Sequence, residues 1–220
     1  MNLEFTNGNN LRIGTIYGIG KNYSDHIKEM GGAAPEEPLI FIKPSAAYLP
    51  DGGTILLPAI SNNVHHEVEL VIVIGKECVN IKKEDAYKYI AGYGIGIDVT
   101  MRDIQAKAKK EGNPWAVAKG FATSAPLSKI IPASEFNEQE PLFDIELKVN
   151  GVTKQKVSTK EMMRTASELI EYLSEVFGLY PGDCIYTGTP EGVGKISDGD
   201  ELVALLNGKE FLKVFAKDKK

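Results

Sequence analysis

A run of six residues without apolar–polar alternation, LVIVIG at positions 70–75, most constrains how this 220-residue chain folds. A strand with one face in water alternates apolar and polar residues, so this run predicts a strand that is covered on both faces. Glu67 and Glu69 precede the run at strand spacing, which places both side chains on one face with their backbones about 6 to 7 Å apart. The chain therefore carries two carboxylates into the start of a buried strand.

Two explanations of this glutamate pair are open. One is a half-exposed strand whose glutamate face meets water. The other is a bound cation. Two like charges ~6.5 Å apart repel by about 2.5 kcal/mol at an effective dielectric constant of ~20, and burying each charge adds a desolvation penalty of several kcal/mol. A cation between them would remove both costs. Oxygen-only ligands favour Mg²⁺ or Mn²⁺ over zinc, and a zinc set that uses His65 is weak because no second histidine lies at ligand spacing.

A third carboxylate stands in GYGIGIDVTMRDIQ, at positions 92–105. Asp98 ends an apolar, glycine-spaced strand there, and Thr100 is the predicted N-cap of the helix that follows, although Asp98 could instead help to cap it. Arg102 and Gln105 lie three apart and project from one face of this helix. They are candidates to contact the metal ligands or the substrate, although a solvated helix face explains either residue equally well.

Composition limits the class of protein. The chain has 25 Lys and Arg against 30 Asp and Glu, a formal charge of −5, which argues against a nucleic-acid partner. No basic, apolar leader begins it and no run approaches the ~18 apolar residues that span a membrane, so we expect a cytoplasmic protein without a membrane partner. Cys78 and Cys184 are too far apart for a zinc motif and are predicted to be small packing residues.

Strand and helix signals are mixed throughout, which predicts a single α+β domain over 1–220. Alternating residues at 144–157 predict a hairpin that turns at Asn150-Gly151. The segment 179–202 is typical of short strands joined by tight turns.

Apolar residues at helical spacing over 163–177 predict an amphipathic helix whose methionine and phenylalanine stripe faces the core. Ser158 and Glu161 are its expected capping box, and Gly178 ends the run.

The segment YGIGKNYSDHIKEMGG, at 17–32, begins like a dinucleotide-binding motif, but Tyr23 stands where that motif requires its third glycine. Ser24 can cap a short helix after it, with His26 and Glu29 on one face. So short a helix orders mainly through its contacts, which suits a lid over a ligand, whereas the plainer alternative is a surface histidine with a chance acidic neighbour.

Six motifs in this order resemble the fumarylacetoacetate hydrolase family, and most closely its acylpyruvate hydrolase branch. They are GKNYSDHIKEMG, PLIFIKPSAAYLP, HHEVELVIVIGK, GYGIGIDVTMRDIQ, PWAVAKGFATSAPL and YTGTPEGVG, and together they cover nearly the whole chain. The resemblance implies a mixed β-roll with short helices and a lid at about 22–32, usually as a homodimer.

The resemblance also implies roles for single residues. Glu67, Glu69 and Asp98 would hold a divalent cation, Mg²⁺ or Mn²⁺, and His26 and Glu29 would form the catalytic pair of the lid.

Two further roles come from single motifs. Lys119 of AKGF would be catalytic, although a lysine before a glycine is usually exposed. Thr189 of TGTP would contact the substrate carboxylate, although a plain turn explains it as well. Ala122 stands where many members of the larger family carry aspartate, which leaves the substrate open.

The implied reaction is metal-dependent hydrolysis of a carbon–carbon bond in a 3-acylpyruvate, of the acylpyruvate or fumarylpyruvate type, to pyruvate and a carboxylic acid. Oxaloacetate decarboxylation and oxaloacetate tautomerisation would use the same enolate-stabilising site and are alternatives. A non-catalytic protein that binds metal and a 2-oxo acid is the alternative of another class.

Overall fold

The computed structural model describes residues 1–24, 35–136 and 140–219. Strands dominate and the helices are short, which confirms the predicted β-rich α+β fold. The strands are β1 Asn2–Glu4, β2 Asn10–Arg12, β3 Ile16–Gly20, β4 Leu39–Lys43, β5 Tyr48–Pro50, β6 Thr54–Leu57, β7 Val64–His66, β8 Val68–Ile74, β9 Ile90–Ile97, β10 Thr100–Met101, β11 Ala125–Leu127, β12 Ile131–Pro132, β13 Asp144–Val149, β14 Val152–Ser158, β15 Cys184–Tyr186, β16 Gly194–Lys195, β17 Glu201–Leu206 and β18 Lys209–Asp218. The α-helices of the described ranges are α1 Arg102–Glu111, α2 Ala116–Lys119 and α3 Ala166–Val176.

Strand β8 lies inside the largest sheet, whose order is β4-β3-β15-β8-β9-β11-β5, with β12 beside β9. All seven residues of β8 are buried. Leu70 and Ile72 belong to one apolar cluster, and Val71 and Val73 belong to a second. Because successive side chains point to opposite faces, the two clusters cover both faces of the strand, as its sequence predicts.

A second sheet, in the order β14-β13-β17-β18-β6, shares the larger apolar cluster with β8 and β9. The predicted hairpin is its β13–β14 pair. Asn150 and Gly151 have φ of 50° and 79°, as a two-residue turn with two positive φ angles requires. The strands predicted over 179–202 are also present as β15, β16 and the start of β17.

The predicted amphipathic helix exists, but its start and its buried face differ from the prediction. Strand β14 continues to Ser158, which pairs with Asp144, so the helix α3 begins only at Ala166. Its capping box is formed by Thr165 and Glu168 rather than by the earlier pair.

The apolar stripe of this helix is not wholly core. Leu169, Ile170 and Leu173 are buried, whereas Met163 and Phe177 are 39% and 44% exposed. The prediction of a buried methionine and phenylalanine stripe is therefore wrong at both ends, because the helix is shorter than the apolar pattern.

Cys78 and Cys184 are buried free thiols, in agreement with their predicted packing role. Among the described residues, no helix is both long and apolar enough to span a lipid bilayer.

Candidate active site

Three buried carboxylates meet where β8 begins and β9 ends. The antiparallel register pairs Val68 with Ile97, so Glu67 lies opposite Asp98, and the Asp98 N–H donates to the Glu67 carbonyl at 2.7 Å. Glu69 follows on the same face of β8. One oxygen of each carboxylate lies within 4.8 Å of the other two. The fold thus brings together the three residues that the sequence proposes as metal ligands.

Basic side chains surround this carboxylate triad. The Lys119 ammonium donates to Glu67 Oε2 at 2.8 Å, to Thr100 Oγ1 at 2.7 Å and to Asp98 Oδ2. Arg102 donates to Glu67 Oε1 from its other side. Lys119 is only 2% exposed, so the expectation of a surface lysine is excluded.

Charge is distributed unevenly over the triad. Burial disfavours ionisation of Glu67, but Lys119 and Arg102 outweigh burial and hold the Glu67 pKa well below its usual range. Burial, followed by repulsion from Asp98 and Glu67, raises the pKa of Glu69 well above its usual range. Glu69 is therefore the carboxylate whose charge lacks compensation, and a divalent cation among the three oxygens would supply it.

The chemistry of this donor set fits a hard divalent ion. All three groups are carboxylates, and every one is buried. Glu69 forms no ion pair within the described ranges, and its Oε2 accepts only the Gly188 N–H, at 2.7 Å, among the hydrogen bonds described. Oxygen ligands of this kind suit Mg²⁺ or Mn²⁺.

Neither Thr100 nor Asp98 caps the helix α1. Its N-cap is Met101, which makes no side-chain capping bond. Thr100 pairs with His65 in the β10–β7 ladder, and its hydroxyl oxygen accepts from Lys119 instead. The predicted Thr100 cap is wrong because strand pairing takes this residue into the site.

The cleft above the triad is lined by all three predicted substrate contacts. Arg102 and Gln105 share a face of α1, and Arg102 Nη1 donates to Gln105 Oε1 at 2.7 Å. Thr189 also lines the cleft, but its hydroxyl donates to the Val68 carbonyl at 2.9 Å. Its contact with a substrate carboxylate therefore stays a prediction. The catalytic pair proposed for the lid, His26 and Glu29, lies outside the described residues.

Lys43 is a site residue that sequence reasoning missed. It is fully buried at the end of β4, 2.6 Å from Asp98 Oδ1, and its ammonium donates to the Ser124 carbonyl at 2.7 Å and the Val99 carbonyl at 3.3 Å. The signal for it was a lysine that closes the apolar strand LIFIK.

Gln155 is the second missed residue, and it connects the β13–β14 hairpin to the site. Its Oε1 accepts from the Val68 N–H and from His66 Nδ1, both at 3.0 Å, and its Nε2 donates to Thr189 Oγ1 at 2.8 Å and to the Pro190 carbonyl at 3.0 Å. Its signal was a polar residue at an inward position of an alternating strand.

Replacing Gln155 with Leu should destabilise the protein, because the new side chain keeps the volume but leaves the Val68 N–H and the Pro190 carbonyl without a partner. Each such buried group costs about 1–3 kcal/mol, so we expect the free energy of unfolding in urea to fall by about 2–4 kcal/mol. Lys154→Leu, on the exposed face of the same strand, is the matched control. Equal stability of the two variants would contradict a structural role for the bridge.

Comparison with known proteins now defines the family. The family described as fumarylacetoacetate (FAA) hydrolase C-terminal matches residues 15–214. The chain belongs to this family. The family resemblance stated from the six motifs is thereby confirmed. Proteins similar to this chain include tautomerases, hydrolases and isomerases by name.

Curated relatives of this family member include the mitochondrial oxaloacetate tautomerase FAHD1 of Bos taurus, 43% identical over 190 residues, which are 86% of each chain. The oxaloacetate tautomerase YcgM of Escherichia coli is 44% identical over 89% of this chain and 90% of its own. Among solved structures, fumarylpyruvate hydrolase from Pseudomonas aeruginosa in complex with Mn²⁺ and pyruvate has a TM-score of 0.92 and 33% identity, over 100% of this chain and 96% of that one.

Proposed function

We propose that this protein is an oxaloacetate tautomerase, which interconverts the keto and enol forms of a 2-oxo dicarboxylic acid. The observation that carries the proposal is the buried triad with the Lys119 ammonium at the floor of a cleft. Such a floor can bind a 2-oxo acid and stabilise negative charge on its C2 oxygen. The tautomerase relatives at 43–44% identity support this reaction over the other reactions that need an enolate-stabilising site.

The cofactor we propose is Mg²⁺, with Mn²⁺ as an alternative, held by Glu67, Glu69 and Asp98. When bound, the ion would act as a Lewis acid on the 2-oxo group. The oxygen-only donor set supports this choice, as does the Mn²⁺ named with the hydrolase structure.

The protein side chains would bind and orient the substrate. Arg102, held by Glu67 and Gln105, presents its guanidinium to the C1 carboxylate.

Lys119 donates here to Glu67, Asp98 and Thr100. With the two carboxylates engaged by a cation, its ammonium would be available to the C2 oxygen. Charge develops on that oxygen when the C3–H electron pair forms the C2–C3 double bond. Phe41 forms part of the cleft wall.

A proton must move between C3 and the enol oxygen, and our proposed carrier is His26, oriented by Glu29. Both lie outside the described residues, so this assignment rests on the family motif.

Hydrolysis of a 3-acylpyruvate is the second candidate, because the fumarylpyruvate hydrolase structure covers the whole chain. In that reaction His26 would instead activate water. In oxaloacetate decarboxylation the C3–C4 bond of the keto form would break, CO₂ would leave, and the electron pair would form the enolate of pyruvate, with its charge on the same C2 oxygen. Three further properties also stay predictions: a homodimer, a cytoplasmic location, and the absence of nucleic-acid and membrane partners. Analytical ultracentrifugation would measure the oligomeric state.

Mixing enol-oxaloacetate with the protein and Mg²⁺ should accelerate the decay of enol absorbance in the ultraviolet. We expect EDTA to reduce the enzymatic rate by at least about 100-fold, since Lewis-acid stabilisation is worth several kcal/mol, and Mn²⁺ or Mg²⁺ to restore it.

A coupled assay for pyruvate separates the candidates. Tautomerisation releases none, whereas decarboxylation or acylpyruvate hydrolysis does. Pyruvate release from an acylpyruvate without enol turnover would favour the hydrolase, and no turnover of any of these substrates would favour a non-catalytic binder.

A further inference from the structure

Two lysines line the cleft, and neither has an anionic partner in the part of the chain that the structure describes. Lys21 follows β3 and Lys109 lies on α1, so they reach the same cavity from different elements. Within the described ranges neither forms a salt bridge, whereas the other two cations of the cleft, Arg102 and Lys119, are paired with carboxylates. Among the residues that the structure describes, no carboxylate therefore pairs with these two positive charges of the cleft.

Lys119 and Lys109 each pack against an aromatic ring of the cleft wall, and the ring beside Lys109 lies next to the ring beside Lys119. The Lys119 ammonium lies 4.6 Å from the Phe41 ring centroid, and that of Lys109 lies 4.9 Å from the Trp115 centroid. The two rings are neighbours, with centroids 6.1 Å apart. The Lys119 ammonium thus contacts the triad, whereas the Lys109 ammonium lies against the neighbouring ring.

Lys21 adopts an unfavourable backbone conformation at the cleft. Its φ of 61° lies in the left-handed region, which costs a residue with a Cβ about 1–2 kcal/mol. Strain of this kind tends to persist where a side chain has a functional position.

The electrostatics agree with the geometry. Burial lowers the pKa of Lys109, and the positive charges of Arg102, Lys119 and Lys21 lower it further, while Glu67 opposes them. The positive charges of these side chains therefore repel one another in one region of the cleft, and an anionic group of a ligand bound there would reduce that repulsion.

We propose that Lys21 and Lys109 form a distal carboxylate subsite that makes the enzyme select 2-oxo dicarboxylates over 2-oxo monocarboxylates. With the 2-oxo acid end at the triad and Arg102, the second carboxylate of the substrate would pair with both lysines. A monocarboxylate leaves them unpaired and gains nothing from them. This inference rests on the proposed function and assigns the residues that determine its specificity.

The test is calorimetric binding to the Mn²⁺-loaded protein. One probe is 3,3-difluorooxaloacetate, which cannot enolise because C3 carries no hydrogen, and the other is pyruvate, which lacks the distal carboxylate. The variants are Lys21→Gln and Lys109→Met, the latter keeping an apolar chain against Trp115. Lys110→Met, the next position on the same helix and not part of the cleft lining, is the matched control.

Each variant should bind difluorooxaloacetate about three- to tenfold more weakly, with roughly multiplicative losses in the double variant, and bind pyruvate within about twofold of the parent. The Lys110 variant should match the parent for both probes. Equal losses for both probes, no loss for the dicarboxylate, or a parent that does not prefer the dicarboxylate would overturn the subsite.

These outcomes are independent of turnover. Selective binding without enol turnover would refute the proposed tautomerase and leave the subsite standing. Enol turnover together with equal binding of the two probes would refute the subsite and leave the proposed tautomerase standing.

Discussion

Glu69→Gln should abolish metal-dependent turnover without destabilising the metal-free protein. The carboxylate of Glu69 has no cationic partner in the described structure, and the charges of Asp98 and Glu67 oppose its ionisation. A glutamine keeps the acceptor for the Gly188 N–H and removes only the charge. We therefore expect the free energy of unfolding without metal to stay equal to that of the parent or to rise slightly.

In contrast to stability, metal binding should be strongly weakened by Glu69→Gln. Mutating a residue that only hydrogen-bonds to a metal ligand typically costs 10- to 100-fold in metal affinity, so losing a direct ligand should weaken Mn²⁺ binding by at least about 100-fold in calorimetry. The parent should gain about 2.7 kcal/mol of stability at a Mn²⁺ concentration 100 times its Kd, whereas the variant should gain almost none at that concentration. Turnover of enol-oxaloacetate should fall by at least about 100-fold.

Glu67→Gln provides the contrast within the same triad. That change breaks the ion pairs with Arg102 and Lys119, and removing one partner of a buried pair costs about 3–5 kcal/mol. It should therefore lose stability even without metal. Glu210→Gln, on the exposed part of β18, controls for the chemical change alone. Undiminished Mn²⁺ affinity in the Glu69 variant would contradict the proposed ligand set.

The sequence predicted the centre of the fold because the relevant signal is local. A strand without alternation must be covered on both faces, and side-chain parity then places Glu67 and Glu69 together. Asp98 joins them because β9 pairs antiparallel with β8, a relation that the sequence indicates only through two neighbouring apolar strands.

The wrong and missed predictions have a common cause in pairing between distant segments. Thr100 has the pattern of a helix cap, but its strand bonds to β7 bring it to Lys119. Lys43 acts on Asp98 across 55 sequence positions, and Gln155 reaches Thr189 across 34. Local propensity cannot report such contacts, because tertiary pairing decides them.

Helix α3 shows the same competition at a boundary. The apolar spacing continues beyond both ends of the helix. Ser158 nevertheless belongs to β14, where it pairs with Asp144, and the helix begins only after Thr165, its N-cap. Periodicity predicted that the helix exists, and the neighbouring strand determined where it begins.

Lys119→Met should separate catalysis from metal binding. The ammonium lies between Glu67 Oε2 and Asp98 Oδ2 and faces the cleft, where it can donate to the C2 oxygen of an enolate. Loss of one donor to a developing oxyanion typically costs about 10²- to 10³-fold in rate, and we expect a loss of this size at saturating substrate and Mn²⁺. Because the same ammonium competes with a cation for two ligands, Mn²⁺ affinity should stay unchanged or increase.

The matched comparison is Lys43→Met, which also removes an ammonium from Asp98. Lys43 is fully buried and is not among the residues that line the cleft. Its loss should lower the free energy of unfolding by up to about 3–5 kcal/mol, because Asp98 Oδ1 and the Ser124 carbonyl lose the Lys43 ammonium and only Lys119 remains paired with Asp98. Added Mn²⁺ should recover part of that stability by binding the native state. The rate at saturation should fall less in the Lys43 variant than in the Lys119 variant. If Lys119→Met instead loses Mn²⁺ affinity in parallel with rate, Lys119 holds the triad in place and does not stabilise the enolate.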